Sequence, residues 1–140
     1  MNIQDTISHL IQKYGTNNPF ELADAMNITI FYEDLGTING YYNKPLRMKQ
    51  IHINYNLDER MQKFTCAHEL GHAILHPNAS TPFLRANTFL SVDKMEIEAN
   101  TFAAELLIPD ELIWEYPDMT LDQIARIAGY SEQIMKFKKI

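Results

Sequence analysis

The sequence predicts a single α+β domain, and three observations carry that expectation. Apolar residues recur at helical spacing over much of the chain, one short run alternates as a strand does, and one helical stretch is apolar on every side. The alternating run is 50–55, where Ile51, Ile53 and Tyr55 point one way and His52 and Asn54 the other. It reads as a half-buried strand of a small antiparallel sheet, with His52 on the solvent side. The stretch that is apolar all round is 64–75, in which Phe64, Cys66, Ala67, Leu70, Ala73, Ile74 and Leu75 leave no wet stripe. A helix of that kind is buried. With 140 residues, 46% of them hydrophobic and 21% charged, the chain can bury one core without crosslinks.

Each element follows from local signals. In 3–14, Ile3, Ile7, Leu10 and Ile11 keep helical spacing until Gly15 stops the helix. Asn18 and Pro19 read as the N-cap and first position of a second helix, ended by Asn27. A β-rich run at 28–32, a turn at 36–40 and a strand beginning at Tyr41 and Tyr42 complete the N-terminal part, 1–57. Asp58 caps the apolar helix, which runs to about Leu75 before Pro77, and His76 closes its C-terminal end. An irregular segment, 77–92, follows, of a length that is usually functional in a small domain. Asp93 then caps another helix, with Glu96 at the place of a capping-box partner, ending at Ile108 and Pro109. The stretch 58–109 holds these two helices. In 110–140, a helix through Trp114, a helix at 121–128, a turn at Gly129 and a last helix with Lys136, Lys138 and Lys139 suggest a helix-turn-helix. The lysines are expected as a dipole complement and solvated tail.

Composition narrows the function classes. A single cysteine, Cys66, excludes an internal disulfide and fits a reducing compartment, and its place in the apolar helix makes it a structural thiol. No signal-peptide pattern or membrane-length run is present, so the cytoplasm is the expected location. A net charge of −6 argues against a general nucleic-acid surface.

The chemistry lies in His68-Glu69-Leu70-Gly71-His72. Two imidazoles four residues apart share one helix face and can grip one metal ion. Glu69 sits about 100° further round, beside the ion, where it can move a proton. Burying this trio without partners costs several kcal/mol, roughly, so a site explains it better than packing does. His76 lies two turns from His68 and is too far along the axis for the same ion. For the third ligand, Glu98 stands on the core-facing edge of the next helix, and Glu105 two turns on is the alternative. Glu96 is accounted for by the capping box.

Two longer stretches carry a resemblance: 64–76, with Phe64, Thr65, Ala67 and the H-E-L-G-H run up to Leu75 and His76, and 98–109, with Glu98-Ala99-Asn100 and Phe102-Ala103-Ala104-Glu105-Leu106-Leu107 before Pro109. Together they resemble the ImmA/IrrE-type metallopeptidases of mobile genetic elements and their hosts. The resemblance covers most of the chain. It implies a zincin-like, gluzincin-type fold, with His68, His72 and Glu98 holding zinc (Mn2+ or Fe2+ being the alternatives) and Glu69 as the catalytic base. It also implies the substrate, a helix-turn-helix repressor cut to relieve repression; the net charge and the lack of a membrane-length run add the expectation of no direct nucleic-acid contact and no membrane. Tyr41, Tyr42 and His52 are the candidates for stabilising an oxyanion, and the strand at 50–55 for receiving substrate by strand addition. Two other readings compete: a DNA-binding regulator with a structural metal, and a module that sequesters the repressor without cutting it.

Overall fold

The computed structural model describes residues 2–79 and 93–138. Helix α1 (Ile3–Tyr14) ends where Gly15 turns left-handed, at a φ of 73° that glycine adopts without strain. Helix α2 (Pro19–Ala25) starts at Asn18, whose side chain accepts from the Phe20 and Glu21 backbone N–H groups. Three strands follow: β1 (Thr29–Glu33), β2 (Gly40–Asn43) and β3 (Gln50–Asn54). Then come α3 (Glu59–Leu75), α4 (Lys94–Leu107), α5 (Asp110–Glu115), α6 (Leu121–Ala128) and a closing 3₁₀ turn (Glu132–Phe137). The fold is α+β, as the sequence predicts.

The sheet differs from expectation in one respect. Its order is β1-β3-β2, with β2 and β3 antiparallel but β1 and β3 parallel, so it is mixed rather than wholly antiparallel. The link from β1 to β2 steps over the place that β3 later fills. The middle strand is therefore paired along both edges, and its two faces are buried as well. Ile51 and Ile53 are fully buried, and His52 and Asn54 are buried too. His52 is not solvent-side, because the rings of Phe31 and Tyr41, its register partners on either side, stack over it at 5.1 and 4.2 Å. Alternation along one strand does not reveal what its neighbours lay across the polar face.

Helix α3 is the centre of the molecule, packed against α4, α2, β2 and β3. Its residues from Phe64 to Ala73 are buried without interruption. Gly40 sets the approach of sheet to helix: a Cβ there would lie 2.5 Å from the His52 carbonyl oxygen and 2.6 Å from Thr65 Cγ2. Gly71 does the same for α4, where a Cβ would stand 3.0 Å from Phe102 Cβ.

In the C-terminal part the second of the two expected helices is a 3₁₀ helix, Glu132–Phe137. Thr120 and Gln123 form a capping box at the start of α6 and Gly129 ends it, but the element that follows is a 3₁₀ turn. Lys138 is no solvated tail: its Nζ is buried, 3.0 Å from Glu105 Oε2 and 2.8 Å from Asp110 Oδ1. Lys139 and residues 80–92 of the segment expected as irregular lie outside the described residues.

Candidate metal centre

Two capped helix starts set the site. Asp58 accepts from the Met61 N–H and opens α3, bringing His68 and His72 to its buried middle. Asp93 accepts from the Met95 and Glu96 N–H groups and opens α4, so Glu96 falls in the first turn. The two imidazoles lie one turn apart, ring centres 4.9 Å from each other and planes at 78°. Glu96 reaches both. Its Oε2 is 3.2 Å from His68 Nε2 and its Oε1 is 2.6 Å from His72 Nε2. One ligand atom from each of the three lies within 4.8 Å of the others.

Burial acting alone would raise the Glu96 carboxyl. The hydrogen bond from His68, the close His72 nitrogen and the charge of both rings outweigh it and hold the group at about 2, a carboxylate throughout the neutral range. His72 Nε2 is buried with no well-directed hydrogen bond, although a Glu96 oxygen stands 2.6 Å away. Ring nitrogen and carboxylate oxygen are thus close without being aimed at each other, as suits two donors facing a common cation. Two imidazoles and a carboxylate are also a set that zinc takes, with a position left open for water or substrate. The residues present fit such an ion.

Glu69 follows His68 on α3 and is fully buried. Burial first, and then the charge of Glu69, push the Cys66 thiol well up from its ordinary value. Cys66 thus stays protonated and serves the core, as its place in the sequence suggests.

The other sequence-derived candidates go elsewhere. Glu98 does not join the histidine pair; its Oε1 is 3.0 Å from His76 Nε2. Residues two apart on a helix point about 200° from each other, so only one of Glu96 and Glu98 can face His68 and His72. Glu105 is held by Lys138 and by Gln4 Nε2 at 3.1 Å. Of the oxyanion candidates, Tyr41 and His52 stack on the sheet face opposite Ile51 and Ile53, while the Tyr42 hydroxyl donates to the Pro77 carbonyl at 2.7 Å. The strand at 50–55 cannot accept a further strand, because it is the middle one.

One residue the sequence reading passed over is Asn100. It is fully buried, and its Oδ1 lies 2.8 Å from His68 Nδ1. Glu96 and Asn100 stand four apart on α4 and meet the two nitrogens of the same ring. The available signal was an asparagine in a buried stripe with a carboxylate one turn before it.

Comparison with known proteins gives the chain's family. The family model described as the IrrE N-terminal-like domain, of the M78 peptidases, matches residues 23–138. The chain is 45% identical over 141 residues, 99% of its length and 89% of the relative's, to a protein of Bacillus phage phi105 named uncharacterized immunity region protein 2. It is 37% identical over 115 residues to the metallopeptidase ImmA of Bacillus subtilis (strain 168), covering 81% of this chain and 67% of that one.

Proposed function

The chain belongs to the IrrE N-terminal-like domain family of peptidases, and on that premise we propose that it is a zinc-dependent endopeptidase that cuts a helix-turn-helix repressor of a phage or mobile element and so relieves repression. The observation that carries the reading is the meeting of His68, His72 and Glu96 around one point, with Glu69 buried beside them on α3. In this reading His68, His72 and Glu96 hold the ion, and Glu96 takes the place that the sequence assigns to Glu98. An ion bound there supplies a Lewis acid that acidifies water and polarises a peptide carbonyl. Glu69 takes the proton from the attacking water and hands it to the departing nitrogen. Asn100 keeps the His68 ring in place through Nδ1.

Binding of an extended substrate backbone needs a sheet edge. The edge strand that packs on α3 is β2, which replaces the strand at 50–55 in this role. The setting in phage immunity is supported by the name of the phage relative, and the repressor by the resemblance of the two sequence stretches. No helix among the described residues is long and apolar enough to cross a membrane. We take 1–140 as one metallopeptidase domain acting in the cytoplasm, where such a repressor works.

The test is direct. The purified protein is incubated with a helix-turn-helix repressor of the same phage or element, as zinc-loaded protein, after chelation, and after zinc is restored, and the products are read by mass spectrometry. Two repressor fragments that appear only when zinc is present are expected. An intact repressor in all three arms would mean that this protein does not cut it. Reloading with Mn2+ or Fe2+ shows which ion sustains the reaction.

A further inference from the structure

Beyond Glu96, a second line of polar groups leads away from His72 toward the surface. His72 Nδ1 lies 3.0 Å from His76 Nδ1, and His76 Nε2 lies 3.0 Å from Glu98 Oε1. The His76 side chain is 11% exposed and that of Glu98 37%, so the line runs from the fully buried His72 to the edge of solvent. His76 is itself fixed, since its backbone N–H donates to the His72 carbonyl at 2.7 Å as the C-cap of α3. An imidazole that offers Nε2 to a cation carries its proton on Nδ1 and needs an acceptor there. Asn100 Oδ1 is that acceptor for His68. For His72 it is the ring nitrogen of His76. Once His76 accepts at Nδ1, its own proton must sit on Nε2, and Glu98 receives it.

We propose that His76 and Glu98 are positioning residues for His72: together they hold its Nδ1 proton and ring orientation so that Nε2 is presented to the metal. The proposal rests on the reading of His68, His72 and Glu96 as the ligand set. It also explains why a carboxylate and a third histidine lie so near the site without joining it. The terminal Glu98 charge makes His76 a better acceptor, which makes His72 a better donor.

The experiment measures zinc affinity and stoichiometry by chelator competition on the purified full chain, beside the melting temperature of the metal-free protein. The variants are His76→Phe, Glu98→Leu, the double variant, Glu98→Gln and, as control, His72→Ala. Wild type should bind one zinc, and His72→Ala should lose stoichiometric binding. His76→Phe and Glu98→Leu should each weaken binding about 10–100-fold while keeping one zinc per chain, the range typical of groups that orient a ligand. Because both act along one line, the double variant should bind no more weakly than His76→Phe alone. Glu98→Gln keeps an acceptor oxygen for His76 and should recover most of the loss. In the zinc-loaded protein, ¹⁵N NMR should show a protected His72 Nδ1–H signal that Glu98→Leu weakens. If wild type binds no zinc, or His72→Ala binds as well as wild type, the ligand reading itself fails. If those controls hold but Glu98→Leu binds as tightly as wild type, or the two losses multiply in the double variant, the positioning line is overturned and the ligand set stands.

Discussion

Glu96 and Glu98 differ by one turn-fraction of helix, and that rotation decides what each can do. Glu96 looks across to α3 and meets both ring nitrogens; Glu98 looks along α3 to its C-terminal His76. Glu96→Ala should therefore abolish stoichiometric zinc binding, while Glu98→Ala should keep one zinc per chain at reduced affinity. Metal analysis of the two purified variants checks this, and the reverse pattern would return the third-ligand role to Glu98. The histidines and Glu69 were legible because their spacing within one helix fixes their relation. The partner carboxylate was not, because it depends on how α4 is rotated against α3. Glu96 also stands three residues after Asp93, where a capping-box partner would stand. Asn100 was legible in principle, since a buried amide on a helix must hydrogen-bond to something.

Among the elements, close approaches keep the site rigid. At Gly40 the strand β2 rests against His52 and Thr65 with no room for a methyl group. Gly40→Ala should displace backbone and cost about 1–3 kcal/mol, the usual range for overpacking, read as a lowered urea midpoint with an unchanged m-value. A midpoint equal to wild type would mean that the sheet can slide on α3 freely. Lys138 ties the last turn to α4 through Glu105, both side chains being buried. Lys138→Met leaves the Glu105 carboxylate in the core with Gln4 as a neutral partner, so a loss of roughly 3–5 kcal/mol is expected. Thermal unfolding measures it. Helix ends and caps were readable residue by residue, as at Asn18, Asp58, Asp93 and Thr120. The parallel pairing of β1 with β3 was not, since pairing depends on which chain segment inserts between two others.

For the molecule as a whole, the C-terminal region and the net charge of −6 point the same way. The element after α6 is a short 3₁₀ helix, and the Lys138 ammonium is paired inside the fold. No operator binding is expected. A gel shift at low salt with the element's own promoter should show free DNA, whereas tight binding that falls steeply with salt would favour a DNA-reading regulator. In the proposed reaction this arrangement cuts a protein, with Glu69 moving the proton. Glu69→Gln preserves shape and leaves His68, His72 and Glu96 untouched, so the variant should fold and keep its zinc. Incubated with the repressor, it should still bind it but cleave at least about 10²–10⁴-fold more slowly than wild type, the range for loss of a general acid–base group. Repressor cleavage by Glu69→Gln at the wild-type rate, with zinc equally bound in both proteins, would show that Glu69 moves no proton in the reaction.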